Sequence, residues 1–433
     1  MIWNKSAECM SADERTERQG IALRQVVARI YQTVPSYRAK MERTGLVPED
    51  ICSLDDLDKL PFTTKEDLRE GYPFGLFAAP KRQIVRLHAS SGTTGRATVV
   101  GYTAADIKLW SEVVARCLAG AGVGSDDVVQ VAYGYGLFTG GLGLHYGAEL
   151  LGSTVLPISG GNTKRQLQLM RDFGTTVLAC TPSYALYLAE AMRELKIARE
   201  DLKLRVGIFG AEPWTEGMRR EIEQQLGIVA LDIYGLSEII GPGVACECTK
   251  RAGLHIQDDH FVPEVIDAES GKQLAPGERG ELVFTTVTKE GLPLIRYRTR
   301  DLTELERTPC KCGRTSTRMR KCLARSDDML IIRGVNLFPS QIEAVLLEIS
   351  DLAPHYLLVV EREHNLDKLS LLVEVDEQVF SDTIGQLESF TRRVRSALES
   401  ALGLGIDVRL VEPRTIERSE GKAKRVLDKR KLA

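Results

Sequence analysis

Long apolar runs are missing from this sequence. No stretch approaches the roughly 20 consecutive apolar residues that a bilayer-spanning helix needs, so no membrane span is expected. An excess of one charge is missing too: 57 Lys and Arg stand against 60 Asp and Glu, a formal net charge of −3. That balance supplies no global pull toward nucleic acid or an anionic membrane. Aromatic residues make up 6% of the chain and form no basic-aromatic stripe. The nine cysteines are an odd number, spread singly or in pairs over 433 residues. This excludes a disulfide scaffold and points to reduced thiols with a metal site. The opening Met1-Ile-Trp-Asn-Lys-Ser-Ala-Glu8 has no basic region followed by an apolar core, so no secretion signal is read and a cytoplasmic protein is expected. Internal repeats and low-complexity tracts do not stand out, and no Gly-Lys-Ser or Gly-Lys-Thr marks a Walker P-loop.

What is present is an ordinary globular composition, 43% hydrophobic and 27% charged, on a chain long enough for about two or three domains. The most informative stretch is His88-Ala-Ser-Ser-Gly-Thr-Thr-Gly-Arg-Ala-Thr98, set between strand-like runs at 84–87 and 98–103. Gly92 and Gly95 permit close backbone approach and positive φ. Ser90, Ser91, Thr93 and Thr94 add hydroxyls, and successive turn amides can face one anionic group. This is the chemistry of a phosphate cradle, here leading into a strand.

The rest of the chain frames that loop. Residues 12–44 carry helical patterning with many charges and read as peripheral helices, and Thr103 can cap a helix over 104–119. Strand and helix signals then alternate. Strands are expected at 128–133, 153–157, 176–180, 205–209 and 228–232, with helices at 163–172 and 184–195. Such alternation implies helix-covered sheets with ligands at the carboxyl ends of the strands, where Gly210-Ala-Glu-Pro213 and Tyr234-Gly-Leu-Ser-Glu238 lie. Residues 253–303 read as short strands and turns, a β-rich part. The texture changes again near Arg325, and a compact α/β unit with a basic tail follows.

Several segments recur in a telling order: Ser90-Ser-Gly-Thr-Thr-Gly95, Gly210-Ala-Glu-Pro213, Asp232-Ile-Tyr-Gly-Leu-Ser-Glu238, Tyr297-Arg-Thr-Arg-Asp301, Arg325-Ser-Asp-Asp328 and Glu420-Gly-Lys422. Together they resemble the adenylate-forming superfamily of acyl-CoA synthetases. Tyr133-Gly-Tyr-Gly-Leu-Phe138, Asp259-His-Phe261 and Arg333-Gly-Val-Asn-Leu-Phe-Pro339 are similar to the versions found in the phenylacetate-CoA ligase family, and the resemblance covers essentially the whole chain. It departs at Arg96 and Ala97, where that family usually has Lys and Pro; a cation remains at 96.

The resemblance implies the α/β adenylate-forming fold. A large N-terminal domain over 1–326 would hold several subdomains, helix-covered sheets and the β-rich part, and a small mobile α+β C-terminal domain would span 327–433. It implies two half-reactions. A carboxylate attacks the α-phosphorus of ATP and releases pyrophosphate; CoA thiol then attacks the acyl-adenylate and releases AMP. In that scheme Lys422 stabilises the anionic transition state and Glu238 holds Mg²⁺. Ser90, Ser91, Gly92, Thr93, Thr94 and Gly95 cradle phosphate, while Gly210, Ala211, Glu212, Pro213, Asp232, Tyr234 and Gly235 line the adenine side. Asp301 and Arg325 bind the ribose hydroxyls, although a structural salt bridge within Arg296–Arg300 competes for Asp301. Asp327 is the hinge, or a plain linker, and Gly334 borders the pantetheine channel. Tyr133, Tyr135, Gly136 and Phe138 form a slot for a flat acid, with an arylacetate favoured.

Cys246-Glu-Cys248, His255 and Cys310-Lys-Cys312 suit a tetrahedral Zn²⁺ that ties loops together. The set expected is Cys248, His255, Cys310 and Cys312, because Cys248 lies nearest His255; ligation by Cys246 in place of His255 is the rival. Variation among members of the resembled family makes this a structural zinc. His88, His145, His260, His355 and His364 have no assignable partner. The partners expected are an aryl acid, ATP and CoA, with no nucleic acid, no membrane, and a homodimer left open. Two other readings compete: an adenylyltransferase that stops at AMP transfer or loads a carrier protein, and a zinc-dependent nucleic-acid-binding module, against which the near-neutral charge argues.

Overall fold

The computed structural model describes residues 1–433 except 90–96, 327–329, 333–334, 350–351, 364–365, 376–383, 403, 420 and 432–433. The predicted cradle residues Ser90, Ser91, Gly92, Thr93, Thr94 and Gly95, the hinge Asp327, the channel residue Gly334, and His364 therefore lie outside the described residues. The chain forms two compact units. One comprises Met1–Cys180, Glu200–Ala211 and Ile228–Cys322; the other comprises Thr181–Arg199, Glu212–Gly227 and Leu323–Ala433.

In the first unit the strand signals assemble a nine-stranded sheet. Thr154–Leu156, Val128–Val131, Val177–Cys180, Val206–Gly210 and Val229–Leu236 are neighbours in that order and parallel. Gly241–Glu247, Leu254–Ile256, Arg318–Met319 and Leu305–Glu306 continue it antiparallel. Every residue of Val177–Cys180 and Val206–Gly210 is buried, as parallel strands between layers require. Helix Ala104–Gly120 starts where expected. Thr103 Oγ1 accepts from the Asp106 amide at 3.1 Å while the Asp106 carboxylate accepts from the Thr103 amide at 2.9 Å, a reciprocal cap.

The cradle's flanks are an antiparallel pair, Ile84–Ala89 with Val99–Thr103, with Ala89 opposite Val99. In the β-rich part Phe261–Ile266, Gly280–Thr286 and Tyr297–Thr303 pair antiparallel in that order. Helices Ala12–Thr33 and Pro35–Arg43 are less peripheral than their charge suggests. Leu23, Val26, Val27 and Ile30 repeat at helical spacing, and with Tyr37 and Met41 they join the main hydrophobic core, leaving the charged faces outward.

In the second unit helices Pro182–Glu194 and Glu216–Leu226 accompany a four-stranded sheet in the order Asp407–Val411, Leu366–Val375, Leu352–Glu363, Val426–Asp428. The central pair is antiparallel and both outer strands are parallel to their neighbours. Leu358, Val360, Leu371 and Val373 pack with Ile342 and Leu346 of helix Pro339–Leu346 and with Val394 and Leu398 of helix Ile384–Leu402. Among the described residues no helix is long and apolar enough to cross a membrane.

Candidate active site and metal centre

The parallel register sets Gly210 beside Ile233, so Gly210 and Ala211 share one sheet end with Asp232, Tyr234 and Gly235. Ala211 has φ +69°, the left-handed region that an alanine enters at a cost of about 1–2 kcal/mol. Strain of this kind collects at ligand-binding turns. A Cβ on Gly210 would fall 2.0 Å from the Ile233 carbonyl oxygen, and one on Gly235 would fall 1.9 Å from that of Gly241. Gly235→Ala must therefore force strands Val229–Leu236 and Gly241–Glu247 apart. A loss of about 3 kcal/mol or more is expected in denaturant unfolding.

The Tyr234 hydroxyl donates to the Asp301 carboxylate at 2.5 Å, joining the main sheet to strand Tyr297–Thr303. The arginines around Asp301 hold other carboxylates. Arg296 pairs with Glu264 at 2.9 Å, and Arg298 and Arg300 pair with Glu281 at 2.7 and 3.4 Å. The Asp232 carboxylate lies 4.0 Å from Lys321 Nζ, and its backbone amide donates to Glu247 at 2.9 Å.

Glu238 is buried in a turn whose backbone is held from several sides. Lys289 Nζ donates to the Glu238 carbonyl at 3.1 Å and sits 5.0 Å from the centre of the Tyr102 ring. The Tyr102 hydroxyl donates to the Ile240 carbonyl at 3.0 Å, and the Thr139 and Ser237 hydroxyls meet at 3.0 Å. Burial pushes the Lys289 ammonium down to about 8, against the opposing pull of Asp106 and Glu238. A carboxylate carried on a backbone held in this way suits a hard cation such as Mg²⁺.

Residues 133–138, the expected acyl slot, are fastened to strand Ile84–Ala89. The Leu137 carbonyl accepts from the Ala89 amide and from His88 Nδ1, each at 3.0 Å, which makes Nδ1 the protonated ring nitrogen. His88 is buried edge-on against Tyr102 and Trp110, and burial lowers its pKa. Tyr133 is buried, the Tyr135 hydroxyl meets His145 Nδ1 at 3.2 Å, Gly136 has φ +122°, and Phe138 is exposed. His145 Nε2 in turn lies 3.0 Å from Glu149, so both His88 and His145 have partners the sequence did not reveal.

The predicted metal ligands converge. One ligand atom each from Cys248, His255, Cys310 and Cys312 lies within 4.8 Å of all the others. Cys248 and Cys310 Sγ are 3.9 Å apart, and Cys312 Sγ is 3.5 Å from His255 Nε2. Zn–S and Zn–N bonds of about 2.3 and 2.0 Å give a tetrahedron edges of about 3.8 and 3.5 Å, so this set fits Zn²⁺. His255 Nδ1 meets Ser316 Oγ at 3.4 Å, an outer contact that fixes the ring. Cys246 points elsewhere: its thiol donates to the Cys117 carbonyl at 3.8 Å within the hydrophobic core. Burial would raise the Cys312 thiol, but hydrogen bonds from His255, the Arg314 backbone and the Arg314 side chain bring it down to about 5. Arg314 also pairs with Glu8 at 2.6 Å, and Cys9 Sγ donates to the Gly313 carbonyl at 3.3 Å, so the cluster anchors the first residues of the chain.

In the second unit Lys422 is exposed on a short turn. Ser419 Oγ closes this turn, donating to the Lys422 carbonyl at 2.8 Å and accepting from the Gly421 amide at 3.1 Å. Glu212 accepts from the Ser183 amide and from the Ala423 amide, each at 2.8 Å, while desolvation holds its carboxyl above the usual range. Pro213 is exposed, and Arg325 is half-buried in Ala324–Arg325. Arg418 pairs with Glu190 at 3.0 Å and Glu374 at 2.8 Å, and His355 Nε2 lies 3.9 Å from Glu190.

Burial, helped by the Arg418 cation and opposed by Glu190 and Glu374, pushes His355 from its usual 6.5 down to about 4. A lowered histidine takes up its proton first in the unfolded chain. It therefore contributes stability above about 6.5 that is lost as pH falls toward 4. In denaturant titrations across that window the wild type is expected to lose more stability than His355→Gln; parallel curves would assign the acid sensitivity elsewhere.

With this geometry in place, comparison with known proteins is decisive. Residues 31–288 match the family model for AMP-binding enzymes, and residues 334–430 match the model for the AMP-binding enzyme C-terminal domain. The phenylacetate-coenzyme A ligase of Thermus thermophilus is 49% identical, covering 100% of both chains, and that of Escherichia coli K12 is 52% identical over 98% of this chain and 97% of its own. The chain belongs to the phenylacetate-CoA ligase family. It has the adenylate-forming fold. A 2-hydroxyisobutyryl-CoA ligase in its postadenylation state, bound to an acyl-AMP, superposes with a TM-score of 0.93 at 31% identity, over 100% of this chain and 93% of that one.

For a member of this ligase family, the sequence reading missed supports more than ligands. Lys289, Tyr102 and Thr139 hold the Glu238 turn, and Thr181 and Arg418 hold the Lys422 turn. None carries a periodic or spaced signal, because each acts through contacts to residues distant in the chain.

Proposed function

We propose that the protein joins an aryl acid, phenylacetate or a related arylacetate, to coenzyme A through an acyl-adenylate, releasing pyrophosphate and then AMP. Identity of 49–52% to phenylacetate-coenzyme A ligases over nearly the full length carries this reading. The residues take these roles. Ser90, Ser91, Gly92, Thr93, Thr94 and Gly95 hold phosphate; Gly210, Ala211, Asp232, Tyr234 and Gly235, with Glu212 and Pro213, form the adenine side; Asp301 and Arg325 take the ribose hydroxyls. The Tyr234–Asp301 hydrogen bond supports this, since it fixes one carboxylate where a diol could be bound.

Glu238 would hold Mg²⁺, whose charge offsets that of the phosphates. Lys422 would place its ammonium on the charge that develops at the α-phosphate. Tyr133, Tyr135, Gly136 and Phe138 receive the acid, and residues 327–433 turn about Asp327 to bring Gly334 to the CoA thiol. Cys248, His255, Cys310 and Cys312 hold a structural zinc. Nine free cysteines support a reducing, cytoplasmic setting.

Mass spectrometry of reactions with ATP, Mg²⁺, CoA and a panel of aryl and alkyl acids tests the reading. Acyl-CoA and AMP formed together, fastest with an arylacetate, are expected. Preference for alkyl acids would overturn the substrate class, and acyl-adenylate that never becomes thioester in the presence of CoA would move the chain to adenylyl transfer.

A further inference from the structure

The turn that carries Lys422 is anchored on both sides of that lysine to the start of one helix, Pro182–Glu194. Before it, the Gly421 carbonyl accepts from Thr181 Oγ1 at 2.9 Å. After it, the Ala423 amide donates to Glu212 Oε2 at 2.8 Å. The same two residues organise the helix start: Thr181 Oγ1 accepts from the Tyr184 amide at 3.3 Å, and Glu212 Oε1 accepts from the Ser183 amide at 2.8 Å. Arg418 adds a charged anchor through Glu190 of that helix and Glu374 of the sheet.

We infer that Thr181 and Glu212 are positioning residues that seat the Lys422 turn for acyl-adenylate formation. This rests on the role given to Lys422 above. A lysine in a basic, glycine-interrupted segment would otherwise sample many backbone conformations, and fixing both adjoining peptide groups removes that freedom before the reaction. Glu212 then acts through the backbone of the lysine turn, a role separate from lining an adenine pocket. The carboxylate is needed in full because each of its oxygens serves a different backbone amide.

The test separates the half-reactions. Glu212→Gln and Thr181→Val are expected to slow acyl-adenylate formation at saturating ATP by about tenfold or more. Both should also speed hydrogen–deuterium exchange in the peptide containing Ala423. Thr181→Ser, which keeps both hydroxyl contacts, should restore rate and protection. Conversion of supplied acyl-adenylate to thioester should stay within about twofold of wild type in Thr181→Val, since the seat acts before that step. Unchanged adenylation in both variants, or an equal fall in both half-reactions of Thr181→Val, would overturn the seat. If the wild type itself forms no acyl-adenylate, the functional reading fails and the seat with it.

Discussion

Lys422→Ala is expected to lose about a hundred- to a thousandfold in acyl-adenylate formation while ATP still binds. The reasoning starts from charge. Attack of a carboxylate on the α-phosphorus brings a second anion onto an already anionic chain, so a positioned cation matters more in the transition state than in the bound ground state. On the proposed roles, ground-state affinity for ATP is spread over the cradle, the Asp232–Gly235 segment and Asp301, so one exposed lysine would add little to it. Pyrophosphate exchange should collapse while calorimetric ATP affinity changes by less than about threefold. Lys422→Arg keeps the charge but changes its geometry, and should recover only part of the rate. Normal exchange in Lys422→Ala would remove the lysine from the reaction.

Loss of the metal cluster should have the second large effect, on stability and not on chemistry. Cys248 follows strand Gly241–Glu247, His255 lies on the neighbouring strand, and Cys310 and Cys312 sit on a turn closed by Gly313 at φ +95°. One ion held there would therefore link two strands, a turn and, through Arg314, the first residues of the chain. Metal analysis is expected to find about one zinc per chain, and Cys310→Ser should lose it together with about 5 kcal/mol or more of stability. Cys246→Ser should keep the full zinc content. Zinc retained in Cys310→Ser, or lost in Cys246→Ser, would mean that the ligand set is wrong.

Much of this was legible because it is periodic or local. The Thr103 cap needs only its own helix start, and the strand signals at 176–180 and 205–209 match Val177–Cys180 and Val206–Gly210 because parallel strands are apolar on both faces. That Cys248, His255, Cys310 and Cys312 cluster could be read from residue chemistry and nearness in the chain. Two things were not legible. Helix Ala12–Thr33 looked peripheral because charge dominates its composition, while its narrow apolar stripe is what meets the core. Glu212 was assigned from its motif, yet its carboxylate serves two backbone amides, Ser183 and Ala423, that lie far from it in the chain. Contacts between distant segments depend on topology, and no spacing announces them.

The central claim is that the carboxylate is activated as an acyl-adenylate before CoA enters. A quenched reaction with phenylacetate, ATP and Mg²⁺, run first without CoA and then with it, tests this most directly. The account predicts acyl-adenylate and pyrophosphate in equal amounts in the first stage, then conversion of the acyl-adenylate by CoA to acyl-CoA and AMP in the second, with the pyrophosphate unconsumed. ADP and phosphate as products, or thioester formed with no adenylate at any time, would contradict it.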